Sequence, residues 1–457
     1  MMATSLATRP APSNERRSTT TSLLERFGTS SSAFLAIVAA SAFLGAVVSR
    51  SATVATLHLL VTLGSVLFIG LTAKSPAPIL AIIIYAGTCD VFWRSAAARG
   101  PWEGAKYALI FGFAFIAIRF VRRPRNASLA IGLLVLLIPG VVVGVASFGP
   151  LVAREYVVAN LAGLIALALG TLVCTNLRVS EAEARGVYLL ALSPAVSIAA
   201  IAAIATATSS DLGFGTESNF AAAGGFGPVQ VSSVLCFGAL LCILVMLQST
   251  APSGTRILAL ATGTWLVGQA VLTFSRGGVF SLVLAVAAIG LTSFTLSGQR
   301  GRTVIAVGLL VVVALQIMSW AGAFTDGASE ERFASTDSTN RSTLARADLE
   351  LFLEHPLLGV GVGQAKYKRD FPVQAAPHTE YSRLLAEHGI FGLGVLVALG
   401  VLSFRMVQAG TGWWRMAAVG LIVMTLTQMA HSATRIGCIA LGFALAGLRE
   451  EEPRSAA

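Results

Sequence analysis

Charge is what this sequence has least of. Only 12% of its 457 residues are Asp, Glu, Lys or Arg, about half the share of an average soluble protein. So few charges cannot coat a globule of this size, which excludes a soluble fold. Apolar runs of about 20 residues, enough for a helix to cross a bilayer, recur along the chain. Strict two-residue alternation is missing from runs such as "SLAIGLLVLLIPGVVVGVASF". That excludes a β-barrel and leaves helices, which satisfy their own backbone groups in lipid. The five cysteines, Cys89, Cys174, Cys236, Cys242 and Cys438, all fall inside apolar runs. They read as small hydrophobes and not as a disulfide framework. No small-residue cleavage site follows the polar, Ser/Thr-rich start, so the first apolar run reads as a retained anchor. Neither an internal repeat nor the paired broken helices of many transporters is seen.

What is present is an all-α polytopic membrane protein of about 12–14 transmembrane helices. Fourteen apolar runs qualify, the last three being 389–405, 413–430 and 435–448. With the N-terminus cytoplasmic, short connections place 18 basic residues inside against 7 outside. The net charge of +10 is therefore read as positive-inside topology, with no nucleic-acid partner. The expected order is a cytoplasmic tail over 1–32, a transmembrane bundle over 33–321, an outer loop over 322–388, C-terminal spans over 389–448 and a cytoplasmic tail over 449–457.

Long loops are usually functional or disordered, and this one has internal order. "STNRSTLARADLELFLEHP" has helical spacing, and predicts a helix over about 341–354 with Asn340 or Ser342 as cap and Pro356 beyond its end. "LLGVGVGQ" predicts a turn; without a following "GK[ST]" it is no phosphate loop. "HTEYSRLLAEHG" predicts a second helix, with Thr379 as N-cap and Tyr381, Leu384, Leu385 and His388 along one side.

Unusual polar residues gather on the outer side. Gln230 ends a Gly/Ser-rich outer segment. Arg276 stands in "TFSRGG" between two spans. His431 and Arg435 lie between the last two, and Asp90 lies near an outer end. Several arginines with few acids suit an anionic ligand, because a guanidinium grips phosphate oxygens in pairs. Arg341 opens a predicted helix, where backbone N–H groups also favour anions. His378 is the best general-base candidate. His355 and His388 read as helix-end residues, and His58, without an evident polar partner, as packing. No Asp-x-Asp pair occurs on the outer side, and "HTE" alone is a weak ligand pattern. No metal and no cofactor is expected.

Three segments in order, "TFSRGG", "NRSTLARADLELFLEHPLLGVGVGQ" and "PHTEYSRLLAEHGIFGLG", resemble the O-antigen ligase and O-antigen polymerase (Wzy-type) superfamily. "GGFGPVQVSSVL" is similar to its mid-chain segment. The resemblance covers roughly residues 215–405. Where members often carry Asn after the histidine, this chain has Thr379.

The resemblance implies a GT-C-like membrane glycosyltransferase. It would move a glycan from undecaprenyl diphosphate to an acceptor hydroxyl, on lipid A-core for a ligase, at the periplasmic face of the bacterial inner membrane. By position His378 would be catalytic, Arg276 and Arg341 would bind diphosphate, and Glu380 or Glu387 would orient the histidine. Gln230, His431 and Arg435 are supporting candidates. Single displacement implies inversion without metal. A polymerase joining lipid-linked repeat units and a protein glycosyltransferase share the donor site. A lipid-linked oligosaccharide flippase is the alternative of another class, disfavoured because the unusual residues crowd one side.

Overall fold

The computed structural model describes residues 23–122, 124–209, 212–215, 217–296, 300–335, 341–370 and 378–451. Among these the chain is almost wholly helical. The order begins α1 (Leu23–Thr29), α2 (Ser31–Val48), α3 (Ala52–Thr72), α4 (Pro76–Ser95), α5 (Gly104–Phe120), α6 (Ala127–Phe148) and α7 (Pro150–Cys174). After β1 (Arg178–Val179) come α8 (Glu181–Thr208), α9 (Pro228–Leu247), α10 (Ser253–Leu272), α11 (Arg276–Thr295) and α12 (Arg300–Phe324). The loop contributes α13 (Ala328–Ala334), α14 (Arg341–Glu354), α15 (Ala365–Lys368) and α16 (Glu380–His388). The chain closes with α17 (Ile390–Ala409), α18 (Gly412–Met429), a 3-10 turn (Ala433–Arg435), α19 (Gly437–Leu445) and β2 (Arg449–Glu450).

Eleven described helices are long and apolar enough to cross a membrane: α2, α3, α4, α6 to α11, the Val307–Phe324 part of α12, and α17. This is a multi-pass membrane protein. The 17-residue α5 and 18-residue α18 run beside them. The apolar run at 435–448 forms a helix of only nine residues, α19, about 14 Å long at 1.5 Å per residue. Local chemistry sets many starts. Ser30 and Ser51 cap α2 and α3, Ser180 and Glu183 form a capping box on α8, and proline opens α4, α7 and α9.

Alternating directions give the bundle two ends. At one, β1 pairs in parallel with β2 and ties the chain's last described residues to the α7–α8 link. The other, the site end, carries the start of α11 and the loop helices. There the connection from α18 to α19 dips inward: Thr434 lies against Gly163, about halfway along α7. Asp90 anchors it, accepting from Gly437 N–H at 3.1 Å while pairing with Arg94 at 2.8 Å.

The loop is well packed. α14 and α16 stand where the pattern predicts them, and α13 and α15 are additional. The expected cap Asn340 lies outside the described residues. Thr379 caps α16 as expected, its hydroxyl accepting from Tyr381 N–H at 3.3 Å. Gly359, Gly361 and Gly363 all take positive φ (69°, 92°, 77°), which favours glycine. A Cβ at each would meet Glu387, Gly144 or Tyr156 at 2.4–2.7 Å. The segment is thus a close-packed turn wedged between α16, α6 and α7.

One expectation is corrected. His58 is not merely packing. Trp93 Nε1 donates to its Nδ1 at 2.9 Å, and its Nε2 lies 2.8 Å from the Tyr85 hydroxyl. Because an indole only donates, Nδ1 is the acceptor and Nε2 carries the proton of the neutral ring.

Candidate active site

A cavity of about 600 Å³ opens at the site end. Arg276 and Gly277 of α11, Arg332 and Phe333 of α13, Arg341 of α14 and His431 after α18 line it. Phe280 and Leu284, each about half exposed on the outside of α11, form its lower wall. The lining joins a group of cations to apolar side chains that are half exposed on the outside of the bundle. No acidic side chain occurs among its described residues.

Backbone carbonyls hold two of the cations. Arg276 begins α11 and its guanidinium donates to the Ser335 carbonyl. Arg332 is buried, and its Nε donates to the Phe274 carbonyl at 3.1 Å. Phe274, fully buried and stacked on Phe214, takes φ 56°, rare for an aromatic residue. Ala433, two residues after the lining residue His431, takes φ 49°. Strained backbone of this kind clusters at functional sites. Arg341 is half-buried. Burial and the charges of Arg276 and Arg332 pull it below the usual guanidinium range. Three like charges crowd one space, an arrangement that a bound anion relieves.

His378 is half-buried just before α16 and is not among the cavity's lining residues. It is within electrostatic reach of the cations. Burial, then Arg341, Arg435 and Arg369, bring its pKa down to about 4, so the imidazole is neutral at physiological pH. His431 is on the lining. Its Nε2 lies 3.0 Å from Ser281 Oγ and its Nδ1 3.1 Å from Ser432 Oγ. Burial and Arg341 lower its pKa to about 4. A Cβ at Gly277 would meet Nδ1 at 2.7 Å, so glycine there lets the ring approach α11.

Two glutamates expected beside His378 have other work. Glu380 is fully buried, ion-paired to Arg383, and accepts from Thr434 N–H and Oγ1 at 3.1 and 3.2 Å. Glu387 pairs with Arg383 at 2.9 Å. Arg383 also donates to the Asn160 carbonyl at 3.1 Å. The spacing i, i+3, i+7 puts all three charges on one helix face, and their pairing lets α16 be buried nearly all round. The triad braces the inward turn that carries Arg435, the half-buried fourth arginine near His378. Asp348 holds Arg369 and the Ser382 hydroxyl, fastening α14 to α15 and α16. Gln230 lies in the first turn of α9, one turn before Ser233, with its buried Oε1 lacking a hydrogen-bond partner. His388 is fully buried at the end of α16, and burial holds its pKa near 3. His355 is exposed.

Arg332 is the cavity cation that the sequence did not single out, lying unremarked in the long loop over 322–388. A faint signal existed, since "SEERF" places it one residue from Phe333 in a short helix otherwise rich in acid.

Residues 258–397 match the model of a protein family described as O-antigen ligase. The matched region contains Arg276, Arg332, Arg341, His378 and Glu380, and stops before His431 and Arg435. No curated protein and no solved structure matches the chain. The match supports a function of the O-antigen ligase or polymerase type.

Proposed function

We propose, for a chain carrying the O-antigen ligase region of the O-antigen ligase and polymerase superfamily, that the cavity binds the diphosphate of a lipid-linked glycan. The enzyme transfers that glycan to an acceptor sugar hydroxyl on lipid A-core, at the periplasmic face of the inner membrane. The observation that carries the reading is the convergence of Arg276, Arg332 and Arg341 on one cavity whose lower wall is apolar and turned outward. A polyprenyl diphosphate has matching halves: a charged head and a chain soluble in the bilayer.

The reaction follows from this placement. The acceptor oxygen attacks the anomeric carbon as the bond from that carbon to the phosphate oxygen breaks. The diphosphate leaves with the electron pair, on the face opposite attack, so the anomeric centre inverts. Negative charge grows on the leaving oxygens, where the guanidinium groups of Arg276 and Arg332, held by backbone carbonyls, need no reorganisation to meet it. His378, neutral beforehand, accepts the hydroxyl proton. The bound diphosphate offsets the charges of Arg341 and its neighbours, so the imidazole becomes more basic when the donor arrives.

Deleting the gene and profiling glycans tests the reading. Long glycans accumulate on undecaprenyl diphosphate while lipid A-core stays unmodified. Single repeat units on lipid A-core would assign the polymerase reaction instead. An unchanged profile would contradict both.

A further inference from the structure

We propose that His431 is a fourth anion contact in the cavity, one that becomes a cation by taking up a proton together with the diphosphate. The inference rests on the diphosphate reading above. His431 lies beyond residue 397, where the family match ends, so the match assigns it no role.

The ring's surroundings are built for two protonation states. A serine hydroxyl accepts as readily as it donates, and both ring nitrogens face one: Ser281 Oγ at 3.0 Å and Ser432 Oγ at 3.1 Å. The imidazolium needs an acceptor at each nitrogen. On the Nδ1 side the chain is complete. Ser432 accepts from the ring and donates to Ser233 Oγ at 3.2 Å, and Ser233 donates to the Val229 carbonyl at 2.7 Å. On the Nε2 side Ser281 accepts from the ring, and its own proton is then free to point into the cavity that it lines. The second proton is therefore accommodated by hydroxyl rotation alone, without moving the ring.

Burial comes first in setting the ring's state and charge second, against a hydrogen bond with the Gly277 backbone that favours the imidazolium. Of the cations that line the cavity, Arg276 comes from α11, Arg332 from α13 and Arg341 from α14, and it is Arg341 whose charge acts on the ring; no acid stands among the described lining residues. The protein alone thus disfavours the imidazolium, in keeping with a pKa brought down to about 4. A diphosphate seated among these groups reverses the sign of the local field. Donor affinity then rises as pH falls.

The test uses the full chain purified in detergent, inorganic diphosphate as the probe, and titration calorimetry in buffers of differing ionisation enthalpy. Wild type is compared with His431→Asn, which keeps one side-chain donor but cannot become a cation. Because the probe's own titration is common to both, the difference between them reports the ring. Wild type takes up about one proton more per diphosphate near pH 6. There the variant binds about tenfold more weakly, as for loss of one charge-assisted hydrogen bond, and the gap closes above pH 8. Equal proton uptake and equal affinity in the two proteins would overturn the role of His431, while the diphosphate reading stands if Arg276→Ala abolishes binding. Wild type that binds no diphosphate would overturn both.

Discussion

His378→Ala reduces the turnover of glycan transfer by about 10²–10⁴-fold, the usual contribution of a positioned general base, and leaves the protein's abundance unchanged. The apparent KM for the lipid-linked donor changes little, because the diphosphate is held by Arg276, Arg332 and Arg341 on separate elements. The pH dependence identifies the group. His378 has a pKa of about 4 in the protein alone, so its own contribution to kcat/KM is lost only as pH drops towards that value and the base is protonated. The limb in kcat lies at higher pH, since the bound diphosphate favours the imidazolium. In the variant both limbs disappear. Surface glycan indistinguishable from wild type would remove His378 from the mechanism.

Arg341→Ala carries the second large effect. Loss of one preorganised donor to developing negative charge costs about 10²–10³-fold, and kcat/KM falls by that order. Arg341→Lys recovers part of it, because lysine keeps the charge and loses the planar fork. A purely structural role would predict the same fall. The distinguishing readout is the histidine. Arg341 is the first charge acting on His378 after burial itself, so its removal raises the His378 pKa and moves the acid limb of kcat/KM upward. A limb that stays in place while activity falls would show that the two side chains do not share a site.

The sequence carried more of the fold than of the site. Spans were legible because apolar length is a one-dimensional property, and α14 and α16 because each joins helical spacing to a cap or a terminating proline. Arg276 and Arg341 stood out for local reasons, one between two spans and one opening a helix. Arg332 did not, because its meaning depends on the Phe274 carbonyl in another turn. The approach of His431 to Gly277 depends on how α11 packs on α18, which periodicity does not encode. Glu380, two residues from His378 along the chain, looked like its natural partner. The helix that starts at Glu380 instead turns that carboxylate towards Arg383 and Thr434. The buried ion-paired triad was visible only as spacing, and the bond from Trp93 to His58 joins two different spans.

The most direct measurement is an experimental structure of the detergent-solubilised protein with undecaprenyl diphosphate. The account predicts both phosphates among Arg276, Arg332 and Arg341, with the chain leaving past Phe280 and Leu284. Phosphate density elsewhere, such as the crevice of about 670 Å³ between α8, α10 and α12 near Trp265 and Trp320, would contradict it.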